Sequence, residues 1–144
     1  MKKVFLFLAM LFAIGFAEAQ ISVQKTQGSS EVLWKSAGNR TRLVCFTLSS
    51  GQRYLVLTLL TNNQFDKPMV LYLGDKEKAK ASLSTLKSLS FEAQDLYHLK
   101  DDKGKPFTFY RDSFGQYVIS KEGFAGDAFT TAAQISKMIS ALSD

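Results

Sequence analysis

Eight short stretches of alternating apolar and polar residues, punctuated by turn formers and interrupted by two helical stripes, leave this chain few folds to choose from. Ile21–Lys25 and Glu31–Lys35, separated by Gln27-Gly28-Ser29-Ser30, read as peripheral strands. Arg42–Leu48 and Arg53–Thr61 are apolar on both faces, which predicts central strands joined by a hairpin at Ser49-Ser50-Gly51-Gln52. Pro68 cannot donate to a ladder, so it fits just ahead of a strand at Met69–Leu73. Asp95–Leu99, Pro106–Arg111 and Gln116–Ser120 complete the set, with turns at Asp101-Asp102-Lys103-Gly104 and Asp112-Ser113-Phe114-Gly115.

The period changes to that of a helix twice. After Gly74, Asp75 is a good N-cap, and Ala79, Leu83, Leu86 and Leu89 form one apolar stripe. The second stripe is Ala128, Ala132, Ile135, Ile139 and Leu142, widened by Met138, and Gly126-Asp127 is expected to open it. The predicted class is α+β, with an antiparallel sheet of about six to eight strands, curved or split in two, covered by two amphipathic helices. A tandem βββα repeat, with halves at residues 41–90 and 91–142, is one organisation of it. A shift of 52 residues places Gly74-Asp75 on Gly126-Asp127, and Leu55 and Leu57 on Phe107 and Phe109.

The first nineteen residues have a different pattern. Lys2 and Lys3 precede an apolar run from Val4 to Ala17, and Ala17-Glu18-Ala19 is a small-x-small exit. This is the order of a secretory signal peptide cleaved before Gln20. A membrane span needs roughly 20 apolar residues, more than this run has, so no transmembrane anchor is expected after cleavage. The short Lys-Lys start is of the bacterial type, which implies the periplasm or secretion. Cleavage leaves 125 residues, enough for one domain at 20–144, and lowers the formal net charge from +5 to +4. The basic residues are scattered among acidic neighbours, which argues against a nucleic-acid partner. Cys45 is the sole cysteine, so stability must come from packing, with Cys45 either in the core or in an intermolecular disulfide.

Chemistry-bearing residues are few. His98, the only histidine, falls on the polar side of its strand, and one histidine cannot build a His-rich metal site. No nucleophile elbow, metalloprotease, phosphate-loop or Cys-x-x-Cys motif occurs. No cofactor, metal or catalytic residue is therefore expected. Tyr110 and Arg111, in an aromatic strand on alternate faces, have the composition of interaction hot spots, as does Trp34 near the N-terminal edge. Trp34, His98, Tyr110 and Arg111 are the candidate binding residues. The expectation is a non-catalytic exported module that binds a protein or a glycan. The alternatives are a subunit of a periplasmic or outer-membrane assembly docking by an edge strand, and an enzyme using His98 with a carboxylate.

Overall fold

A computed structural model describes residues 28–92 and 95–143. The predicted signal segment 1–19 and the predicted strand Ile21–Lys25 lie outside the described residues. The described elements run in the order β1 (Gly28–Lys35), β2 (Thr41–Leu48), β3 (Arg53–Leu59), β4 (Met69–Gly74), α1 (Lys76–Ser88), β5 (Leu96–Lys100), β6 (Pro106–Arg111), β7 (Tyr117–Ser120), β8 (Ala128–Thr130) and α2 (Ala132–Ala141). The strands form two antiparallel sheets, β1-β2-β3-β4 and β5-β6-β7-β8, in place of one curved sheet of six to eight strands. Of the two alternatives in the sequence reading, split and curved, the chain takes the split one.

Each helix therefore follows four strands, where the sequence reading assigned three. In the first sheet the extra strand is the peripheral Glu31–Lys35, already read as a strand but outside the half at 41–90, and in the second it is β8. Gly28–Ser30, expected as a turn, belong to β1. Gly126-Asp127 does not open the second helix, because Ala128–Thr130 form β8 and Thr131 is the N-cap, its Oγ1 accepting from the Gln134 N–H at 3.1 Å. β3 is thus the third strand of its sheet and β6 the second of its own, so the 52-residue shift aligns strands that do not correspond. Asp75 caps α1 as expected, accepting from the Lys78 N–H at 2.8 Å.

Contacts divide the chain into two compact units. In the smaller, which includes the hairpin tip Thr47–Gln52, the Leu48 N–H donates to the Gln52 carbonyl and the Gly51 N–H to that of Leu48. Gly51 is at φ +90°, a conformation glycine takes without strain.

The larger unit, Ser30–Phe46 with Arg53 onward, holds the core. Strand alternation turns Leu43 and Cys45 of β2, Leu55, Leu57 and Leu59 of β3, and Met69 and Leu71 of β4 to one face. In the second sheet, the register Tyr97–Phe109–Ile119–Ala128 turns a matching row inward. Ala79, Leu83 and Leu86 of α1 and Ile135 and Met138 of α2 join the same cluster, so both helices lie on the core side. Burying each large side chain contributes about 1.5–3 kcal/mol. Cys45, 3% exposed, is one of these core residues.

Two carboxylates sew distant segments of this unit together. Asp66 accepts from the Thr61 hydroxyl at 2.6 Å and from the backbone N–H groups of Ala125 and Gly126 at 3.0 and 2.8 Å. Those donors, the Thr61 hydroxyl first, hold its carboxyl below the usual range. Beside it, Asn62 pairs with Asp127 through backbone and side chain, and Thr61 bridges Ala128. Gly126 is obligatory here for space, since a Cβ would collide with Asn62 Oδ1 and lie 2.8 Å from the Asn63 nitrogen. These bonds explain why Gly126-Asp127 stays extended and leads into a strand.

Asp101 makes the second seam. Its side chain is 1% exposed. The carboxylate accepts from the Tyr72 N–H at 3.1 Å, the Lys103 N–H at 3.0 Å and the Lys105 N–H at 2.9 Å. The Asp102 N–H donates to the Tyr72 carbonyl at 2.8 Å, so the β5–β6 turn satisfies both backbone groups of Tyr72. Lys121 Nζ lies 3.9 Å from Asp101 Oδ2 and donates to the Val70 carbonyl at 2.7 Å. Burial lowers the Lys121 pKa, and Asp101 opposes that shift.

Candidate binding surface

With the helices on the core side, the other face of each sheet is where side chains can meet a partner. The structure distributes the four sequence-predicted residues over different places. His98 and Tyr110 share the outer face of the second sheet, at Leu96↔Tyr110 and His98↔Thr108 of the β5–β6 register. Arg111 is on the opposite face, where its guanidinium lies 5.8 Å from the Phe91 ring centre and donates to the Phe91 carbonyl at 3.5 Å. Trp34 is half-buried and packs against the core from β1. Tyr110 and Arg111 therefore do not form one patch.

His98 is exposed on the edge strand β5, and among the described residues it has no hydrogen-bond or ion-pair partner. Tyr110 has a more distinct environment. Burial, then Asp127 and Asp112, raise its phenol above the ordinary 10.0. The register continues across all four strands as Leu96–Tyr110–Val118–Phe129, an apolar row whose outermost member, Leu96, is 49% exposed.

The outer face of the first sheet is richer, and the sequence reading assigned nothing to it. Alternation places Val44 and Phe46, Tyr54, Val56 and Thr58, and Val70 and Tyr72 there. The regular β3–β4 register pairs Thr58 with Val70 and Val56 with Tyr72 on this face, and a one-residue slip beyond Tyr72 pairs Leu55 with Gly74. Val44 and Val56 are buried. Phe46 and Tyr54 stack at 5.7 Å with their rings 24° apart. Lys103, carried over by the turn that Asp101 holds, places its ammonium 4.1 Å from the Tyr72 ring centre and 5.8 Å from that of Tyr54. The result is a row of Phe46, Tyr54, Lys103 and Tyr72 across β2, β3 and β4.

Charge along this flank is uneven. Asp66 and Asp101 are engaged by the bonds above, and Asp102 pairs with Lys78 at 3.6 Å. Lys67, Lys103 and Lys105 have no carboxylate at ion-pair distance among the described residues. Lys67 and Lys105 also act on Lys121, so the positive groups converge beside β4.

Two further features escaped the sequence reading. Phe65 and Phe114 are 87% and 89% exposed, each on a turn where the side-chain Oδ1 of Asn63 or Asp112 accepts from the backbone N–H of the phenylalanine. A recess of about 230 Å³ opens among α1, β4 and β5, lined by Leu71, Leu86, Leu99 and Phe107 beside Asp101. Among the described residues no cluster of three or more His, Cys, Asp or Glu could hold a metal ion, and no helix is long and apolar enough to cross a membrane.

No protein-family model, curated protein or solved structure matches this chain.

Proposed function

We propose that this chain is an exported, non-catalytic binding module whose recognition surface is the outer face of the first sheet. The observation that carries this reading is the Phe46–Tyr54–Lys103–Tyr72 row. Ordering half-buried aromatic side chains and a long lysine on a sheet face costs conformational entropy, and tyrosine is among the residues that carry most of the energy at interfaces. The signal-like N-terminus supports export to the periplasm or beyond, where a protein or glycan is the partner to expect.

The test is a thermal-shift screen of the mature chain from Gln20 against panels of glycans and peptides, alongside a Tyr54→Ser/Tyr72→Ser variant of verified fold. The expected result is at least one compound that stabilises the native chain and leaves the variant unchanged. Equal responses from both proteins throughout, or no response at all, would overturn the proposal.

The Leu96–Tyr110–Val118–Phe129 row supports a second reading, a subunit that docks the second sheet in a periplasmic or outer-membrane assembly. Leu96→Asp would then abolish co-purification of a stoichiometric partner with the native protein, and a monomer in both forms would count against it.

A further inference from the structure

We propose that the Tyr54–Lys103–Tyr72 row binds an acidic polysaccharide, with a uronate carboxylate on the Lys103 ammonium and sugar hydroxyls on the two phenols. This rests on the reading of that face as the recognition surface and adds the class of ligand.

Charge is the first argument. The carboxylates along the flank are bonded within the fold, Asp101 and Asp102 to Lys121 and Lys78 and Asp66 to neutral donors, whereas Lys67, Lys103 and Lys105 have no carboxylate at ion-pair distance among the described residues. An anion placed there meets ammonium groups free of any ion pair among the described residues, and it displaces no internal ion pair of theirs. The ligand class should therefore be acidic.

Ring geometry is the second. Flat stacking of nucleic-acid bases needs an open aromatic face. Phe46 stacks on Tyr54, and the Lys103 ammonium sits 4.1 Å over Tyr72. What remains to offer is a set of donors, the ammonium and two phenol hydroxyls that have no hydrogen-bond partner among the described residues. Carboxylates and sugar hydroxyls are acceptors that such donors suit. The two phenols stand on adjacent strands, β3 and β4, about 5 Å apart at the usual strand spacing, within reach of one sugar unit and its carboxylate.

The probe is polygalacturonate, titrated calorimetrically into the mature chain at about 0.05 and 0.15 M salt. Its fully methyl-esterified form, polyglutamate and a single-stranded oligonucleotide serve as comparators. Binding to polygalacturonate is expected to fall about tenfold or more on esterification. Lys103→Ala should weaken it by a similar factor, in line with a charged hydrogen bond of about 1.5–3 kcal/mol, and Lys103→Arg should retain most of it. Tyr54→Phe/Tyr72→Phe, which keeps the rings, should cost severalfold.

Equal binding of the ester, indifference to Lys103→Ala, or tighter binding of polyglutamate or the oligonucleotide would overturn the acidic-glycan assignment. A neutral glycan or a peptide whose binding is lost in Tyr54→Ser/Tyr72→Ser would leave the recognition face standing while removing this ligand. Binding of every probe unaffected by that double variant would remove both.

Discussion

Replacing Asp101 by alanine removes the acceptor for three backbone N–H groups and the counter-charge of Lys121 in one step. Breaking a buried ion pair from one side costs about 3–5 kcal/mol, because the remaining charge stays desolvated. Two features reduce that figure. Lys121 keeps the Val70 carbonyl as a partner, and water can reach the exposed Lys103 and Lys105 N–H groups. The Tyr72 N–H has no such relief. The expected loss is about 3 kcal/mol, or roughly 12 °C in Tm for a domain of this size. Asp101→Asn keeps one oxygen for Lys103 and Lys105 but turns an amide N–H₂ toward the Tyr72 N–H, so about 2 kcal/mol should be lost. Urea denaturation followed by circular dichroism measures both. In a double-mutant cycle, Asp101→Ala and Lys121→Met should be less damaging together than the sum of their separate effects. A loss below about 1 kcal/mol for Asp101→Ala, or strict additivity with Lys121→Met, would refute the reasoning.

Asp66 should give stability an acid limb. Its folded pKa is depressed, so its contribution is complete above the ordinary value of 3.8 and disappears as pH falls through the lower folded value. Asp66→Asn should flatten the pH dependence of Tm below about pH 4, and an unchanged slope would reject this role. Gly126→Ala forces a Cβ against Asn62 and Asn63 and should cost about 1–3 kcal/mol by urea melting, whereas full tolerance would show that the two loops can separate. Thr131→Ala removes the α2 N-cap, for about 1 kcal/mol, and Thr131→Ser should restore most of it. Tyr110 should ionise above the usual value of 10.0 in an ultraviolet titration, and Tyr110→Phe should delete that late step; a phenol titrating normally would place Tyr110 in water.

Local pattern was enough to find the elements whose periodicity is long or whose caps are chemical. β2, β3 and β6 are recognisable from alternation, and α1 from Asp75 with its stripe. β8 was not legible, because three residues cannot display a period and Ala128 fits the helical stripe as well as the strand. What keeps Ala128 extended is the Thr61 bridge and the Asp66 and Asn62 bonds, between segments some sixty positions apart in the chain. The candidate binding surface fared worse for the same reason. Phe46, Tyr54 and Tyr72 each read as ordinary strand aromatics, and Lys103 as a turn residue. Only strand order and the docking of the β5–β6 turn on Tyr72 bring them into one row. Tyr110 and Arg111 show the converse, since adjacency in sequence puts strand neighbours on opposite faces.

The Asp101 turn joins the stability of the fold to its proposed use. Lys103 reaches Tyr72 because its own backbone N–H is tied to the Asp101 carboxylate and because Asp101 and Asp102 bind both backbone groups of Tyr72. The ammonium and the ring are thus positioned by one set of bonds, which limits the ordering cost left to pay on binding. The two roles separate by residue. The Lys105 side chain projects from the turn without supporting it, so Lys105→Ala should leave Tm within about 2 °C of native. Lys103→Ala, which gives up an exposed cation–π contact of about 0.5–1 kcal/mol, should lower it by no more than about 4 °C. Asp101→Asn touches no ligand atom, yet it should weaken polyanion binding even where the chain remains folded, because it loosens the turn that carries Lys103. Retention of full affinity by a folded Asp101→Asn protein would mean that Lys103 finds Tyr72 without the turn, and the link between seam and surface would be lost.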